Sequence, residues 1–182
     1  MQFTHEMILQ SDSGYCMPFE EKNKDVEMSL GYGKQKHPKT GEKFFHHGID
    51  FEVKHYLLSA VATGKVSGLG NDAIHGIYQV IRYGNYEVTY SHLSNVFANY
   101  GQVVKAGQVV AVSADMLHME VKYNGEEMNP LEFLTMIYGN LKTMDSKVRL
   151  VLCLSSSPST WTCIPCTTKT RRRLKRDRKS VV

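Results

Sequence analysis

The chain has 182 residues, room for one ordinary domain with a core of its own plus extensions. Its formal charge of +4 joins two unlike parts: residues 1–142 hold 12 Lys+Arg against 16 Asp+Glu, and residues 143–182 hold 10 against 2. The larger part is mildly acidic, which excludes the basic footprint of a nucleic-acid-binding domain, and no apolar run is long enough to span a membrane.

Residues 1–28 carry a turn at Ser13-Gly14 and a proline at Pro18, and read as a loosely packed lead-in or an extra edge strand. Met1 to Gln10 lacks the basic end and apolar core of a secretory signal. From Leu30 to Thr40 the glycines and Pro38 predict a loop.

The stretch Phe44-Phe45-His46-His47-Gly48-Ile49-Asp50-Phe51 comes next. If it is one extended strand, His46, Gly48 and Asp50 line one side, and His47, Ile49 and Phe51 the other. A distant partner, Met116-Leu117-His118-Met119-Glu120-Val121, alternates too, with Met116, His118 and Glu120 on its polar face. Should the polar faces meet across a sheet, His46, Asp50 and His118 make two imidazoles and one carboxylate. That is a common catalytic zinc set, with a fourth position left for water. The plainer alternative is a polar sheet face without metal. Zinc is preferred to magnesium because imidazole is a ligand that hard cations use poorly.

Beyond Asp50, β-rich runs at Leu57 to Val61, Lys65 to Ser67, Ile77 to Tyr83, Tyr86 to His92, Gln108 to Val112 and Leu117 to Tyr123 predict an all-β, mainly antiparallel sheet or sandwich. Tyr83-Gly84-Asn85-Tyr86 and Tyr123-Asn124-Gly125-Glu126 are hairpin turns. Alternation puts Val88, Tyr90 and His92 on a shared face. Turns at Tyr100-Gly101 and Ala106-Gly107 make residues 101–110 a β-turn-β corner. A short C-terminal helix starts at Asn129-Pro130, with Glu132 at the capping-box position and Leu131, Leu134 and Tyr138 at helical spacing.

Residues 143–182 differ in kind: a serine-rich run from Ser155 to Thr160, a lone pair Cys163/Cys166 and a basic block from Arg171 to Arg176. A C-x-x-C without a second pair or histidines is a poor zinc signal, and only Cys16 lies ahead of this tail, which gives no disulfide framework for the domain. The division is therefore lead-in 1–28, domain 29–142, and a basic, disordered or non-native tail 143–182.

Ser29-Leu30-Gly31-Tyr32-Gly33, His37-Pro38-Lys39-Thr40-Gly41 and His46-x-Gly48-Ile49-Asp50 open a series of ordered motifs. It continues through Val61-Ala62-Thr63-Gly64-Lys65-Val66, Thr89-Tyr90-Ser91-His92-Leu93-Ser94, Gly101 to Val110, and Leu117-His118-Met119-Glu120-Val121. Together they resemble the lysostaphin-type (LytM) zinc endopeptidases, secreted enzymes that cut peptide bonds in bacterial peptidoglycan. The resemblance implies the lysostaphin-type fold, Zn2+ on His46, Asp50 and His118, and His92 at a catalytic position. It also implies peptidoglycan peptides as partners, and an envelope or extracellular location for which this chain shows no signal peptide. By its chemistry, neutral His92 would take a proton from the attacking water or donate a hydrogen bond to the oxyanion.

One departure matters. The family reads His-x-His at the last motif, where this chain has Met116 ahead of His118, and the glycine-rich stretch before it is shortened to Val112-Ser113-Ala114-Asp115. A thioether neither transfers a proton nor donates a hydrogen bond. A second reading follows, of a catalytically impaired peptidoglycan-binding pseudoenzyme or an activator of another hydrolase. A third, a nucleic-acid or membrane binder, rests on the basic tail alone. Of the other histidines, His47 faces away from Asp50, His55 lies in a loop, His37 resembles a loop position near the family's groove, and His75 lies in a turn that could overhang the groove. None has an assigned role.

Overall fold

The computed structural model describes residues 4–19, 26–37 and 39–154. The Cys163/Cys166 pair and the basic block lie outside them. After a 3-10 turn at His5–Met7 come β1 (Glu27–Leu30), β2 (Gly33–Lys36), β3 (Lys43–His46), β4 (Ile49–Glu52), β5 (Leu57–Ser59) and β6 (Gly64–Asp72). Then follow β7 (Gly76–Tyr83), β8 (Tyr86–Val96), β9 (Val103–Val104), β10 (Val109–Tyr123), β11 (Glu126–Met128) and helix α1 (Pro130–Leu154). The main sheet runs β1-β4-β10-β8-β7-β6-β9, with β5 and β11 also on β10, and β2 and β3 form a separate hairpin. Every pairing is antiparallel, the architecture expected from the sequence.

Strand β10 organises the sheet. One edge pairs with β8 along most of its length, and β5, β4 and β11 take the other edge in succession. Its alternation is the cause: Leu117, Met119 and Val121 are buried among Ile49, Phe51, Val88 and Tyr90, and His118 and Glu120 point to the opposite face. The two runs read separately at Gln108–Val112 and Leu117–Tyr123 are this one strand, with an irregularity between them. Ser113 pairs with Leu93, and five residues later His118 pairs with Ser91, only two residues away on β8. The surplus bulges outward. Asp115 ends up exposed, 3.9 Å from Lys54, and does not enter the site.

Three further expectations change. The segment at Leu30–Thr40 is largely a hairpin rather than a loop, since Gly33–Lys36 pairs with Lys43–His46. In its turn His37 Nδ1 accepts the backbone N–H groups of Lys39 and Thr40, so this histidine holds the turn. The lead-in is packed, not loose. Met7, Leu9 and Pro18 are buried, Cys16 N–H donates to the Val61 carbonyl and Ser59 N–H to that of Pro18, and β1 is an edge strand on β4. In α1, Asn129 caps the first turn by accepting the Leu131 N–H at 3.0 Å. The buried face, however, is Phe133, Leu134, Met136 and Ile137, while Leu131 and Tyr138 are exposed. Phe133 sets this rotation by packing on Tyr86, with ring centroids 4.9 Å apart. Burying Phe133 and Ile137 stabilises the docked helix by about 1.5–3 kcal/mol each.

Candidate metal centre

Asp50 on β4 and His118 on β10 are direct ladder partners, so their side chains leave the sheet on the same face. His46 arrives by a different route. The expected single strand through His46 and Asp50 is broken: β3 ends at His46, the chain bends at His47-Gly48, and Asp50 belongs to the main sheet. The bend folds the hairpin back so that His46 still meets Asp50. His46 Nε2 lies 3.3 Å from Asp50 Oδ1 and 3.3 Å from His118 Nδ1, and His118 Nδ1 lies 2.6 Å from Asp50 Oδ1. One ligating atom from each of the three falls within 4.8 Å of the others.

The ring orientations are set from behind. His46 Nδ1 is 2.9 Å from the Gly31 carbonyl oxygen, which can only accept, so the proton sits on Nδ1 and the Nε2 lone pair faces the cluster. His118 Nε2 is 3.2 Å from Glu120 Oε1, which likewise fixes its proton and turns Nδ1 inward. Burial works against charge on His118, but the hydrogen bonds of Asp50 and Glu120 outweigh it and raise its pKa to about 9. Glu120 in turn is held below the ordinary glutamate range by its hydrogen bond to His118. Without metal, His118 is thus an imidazolium clasped by two carboxylates. Two imidazole nitrogens and one carboxylate oxygen, freed of one proton, suit a divalent transition-metal ion.

Gly48 is required at the bend. A Cβ there would sit 2.5 Å from the Met119 carbonyl oxygen and 2.6 Å from His118 Cε1. The missing side chain is what lets the His118 ring lie against the β3–β4 connection.

His92 reaches the site through a second irregularity. Ile77 pairs with Leu93 and Gln79 with Tyr90, so two steps on β7 match three on β8 and a bulge falls at Ser91-His92. His92 adopts φ +57°, a left-handed conformation uncommon for histidine, and its N–H donates to the His75 carbonyl at 2.8 Å. The extra residue reverses the alternation. Val88, Tyr90 and Ser91 are buried, whereas His92 is half-buried with its ring centroid 6.5 Å from that of His118. The expected sharing of a face with Val88 and Tyr90 is therefore overturned. Burial, reinforced by the charge of His118, lowers the His92 pKa and favours the neutral ring.

Elsewhere, His47 is exposed, lies in the bend rather than in a strand, and pairs with Glu127 at 2.9 Å. His55, at φ +49°, gives its N–H to the Ala114 carbonyl. Sequence reasoning put Glu120 on the His118 face without giving it a task. The Gly31 carbonyl carried no sequence signal, because any residue there presents the same oxygen.

A His-Asp-His cluster able to hold a metal ion, with a further imidazole beside it, is thus carried on an antiparallel sheet. Residues 44–130 match the family model described as Peptidase family M23, the lysostaphin-type domain. The chain is similar to an uncharacterized metalloprotease of Haemophilus influenzae, 36% identical over 107 residues that make up 53% of this chain and 22% of that protein. It is also similar to the murein hydrolase activator NlpD of Escherichia coli, 34% identical over 97 residues, 48% of this chain and 25% of that protein. The chain thus spans about a quarter of the length of these curated relatives. Among solved structures, a zinc-containing peptidase from Vibrio cholerae superposes with a TM-score of 0.55 at 28% identity, covering 64% of this chain and 39% of that one.

Proposed function

We propose that this chain is a zinc-dependent endopeptidase hydrolysing peptide bonds in the stem peptides or cross-bridges of bacterial peptidoglycan, acting at the cell envelope or outside the cell. The observation that carries this reading is the convergence of His46 Nε2, Asp50 Oδ1 and His118 Nδ1, each imidazole oriented by a separate acceptor. These three atoms would hold the ion. Bound zinc supplies a Lewis acid and lowers the pKa of water toward neutrality.

The chain's own groups do the rest. His92 is kept neutral by burial and accepts a proton from the attacking water. Glu120 holds His118 in place by accepting from Nε2.

Incubating the purified protein with zinc and defined muropeptides, then weighing the products, tests the proposal. New fragments whose masses add one water to the cut bond are expected, and a chelator should suppress them.

The second reading, an impaired peptidoglycan-binding protein or a hydrolase activator, is favoured by Met116, whose thioether brings no proton to the face of His118. The likeness to NlpD, named as an activator, points the same way. A zinc-loaded protein that leaves every muropeptide intact but stimulates a separate cell-wall hydrolase would decide for it.

A further inference from the structure

Hydrolysis of an amide needs two proton transfers. One proton leaves the attacking water, and one must reach the amine nitrogen, because an amide anion is too basic to depart. His92 serves the first transfer. The residues nearest in sequence to His118 cannot serve the second: Met116 has no transferable proton, and Asp115 is exposed and directed at Lys54.

Another imidazole stands next to His92. His75 lies in the turn between β6 and β7, where Asp72 Oδ1 accepts the backbone N–H of Ile74 at 2.9 Å and of His75 at 2.7 Å. Asp72 Oδ2 lies 2.9 Å from His75 Nδ1, so this carboxylate both shapes the turn and orients the ring. Because a carboxylate only accepts, Nδ1 carries a proton and Nε2 is the nitrogen left to meet a substrate. The side chain is 34% exposed, open enough to be reached.

The turn is tied to the site by its backbone. The His75 carbonyl takes the His92 N–H at 2.8 Å, and Gly76, at φ +60°, puts no side chain between the turn and the His92 ring. The charge of His75 is felt at both His92 and Glu120, beside the contact its backbone makes with His92. The titratable groups facing it are Asp72 from β6, Tyr78 from β7 with ring centroids 5.6 Å apart, His92 from β8 and Glu120 from β10.

We propose that His75, oriented by Asp72, is a catalytic residue of this site that protonates the leaving amine of the scissile peptide bond. The inference rests on the hydrolase reading above. Water oxygen bonds to the carbonyl carbon as the neutral His92 ring takes one of its protons. The tetrahedral adduct then collapses, the C–N bond breaks, its electron pair goes to nitrogen, and nitrogen takes a proton from Nε2 of His75 in its doubly protonated form, leaving the Nδ1–H ring on Asp72. The products are a carboxylic acid and an amine. His92 returns its proton to solvent and His75 regains one from solvent, so the net reaction consumes one water.

The test uses the full zinc-loaded chain and follows kcat and KM for a muropeptide across pH. His75→Ala should lower kcat about 100-fold, keep KM and zinc content, and abolish the alkaline limb of the kcat profile. Asp72→Asn keeps an oxygen for the turn but replaces the carboxylate that orients the His75 ring, so it should lower kcat by about tenfold with KM and zinc content kept. An active wild type whose His75→Ala variant keeps its kcat and alkaline limb overturns the inference and leaves the hydrolase reading standing. Should His75→Ala lose zinc or fold, an unchanged kcat in Asp72→Asn overturns it equally. A zinc-loaded wild type that cuts nothing overturns both.

Discussion

Asp50 and His118 face each other across a regular stretch of the β4–β10 ladder, whereas His92 sits in a bulge of β8 and His75 in the turn beyond it. The first side is over-determined. Two strands set the register, the Gly31 carbonyl orients the His46 ring, and Glu120 and the bare Gly48 fix that of His118. The second side is held by a few backbone hydrogen bonds and by a histidine in a conformation that costs on the order of 1–3 kcal/mol. Damage on the ladder side should appear as lost metal. Damage on the bulge side should appear as lost rate with metal retained.

The largest expected effect is on the ladder side. His118→Ala should take zinc from one per chain to none, as read by elemental analysis of the dialysed protein. Unchanged stoichiometry would mean that the proposed ligand set is wrong and the two sides are not divided as described. On the bulge side, His92→Ala should lower kcat by about 10²–10⁴ through loss of the proton acceptor, with zinc content intact. A variant that loses zinc along with activity would erase the distinction between the two sides.

Gly48→Ala probes the ladder side without touching a donor atom. The added methyl collides with the Met119 carbonyl and the His118 ring, so zinc affinity should fall by about 10–100-fold, the range seen when support behind a ligand is disturbed. Competition with a chromogenic chelator measures it, and wild-type affinity would show that the bend yields freely.

The clasped imidazolium gives the ladder side a pH signature. The pKa of His118 is raised above its unfolded value, so its contribution to the stability of the metal-free fold is complete below about pH 6.5. That contribution is lost as pH rises through about 9. Zinc must displace the same proton, so its apparent affinity should climb by about tenfold per pH unit below this value and level off above it. A flat profile between pH 6 and 8, on the order of one proton short of this expectation, would remove the imidazolium from the account. The smallest effect is expected from Met116→His. It should raise turnover by no more than about tenfold if His75 already brings a proton, and leave zinc affinity where it was, since position 116 is not among the converging donors.

Much of this was local enough to read from the chain. The alternation of Leu117, Met119 and Val121 against His118 and Glu120 decides which way each side chain leaves the strand, because a pleated backbone has a period of two wherever it is placed. Turn chemistry at Gly84-Asn85 and Asn124-Gly125 closes both hairpins where expected, and Asn129-Pro130 starts the helix, since each depends on the φ preference or capping ability of the residues on the spot. Tertiary structure alone decided the rest. Whether His46 and Asp50 share a strand, which face His92 takes, and which carboxylate stands behind His118 depend on register between segments far apart in sequence. One surplus residue in β8 reverses every side chain beyond it. A bulge of that kind is stabilised by neighbouring strands rather than by its own residues, so His92 belongs to the site because β7 and β10 impose its position.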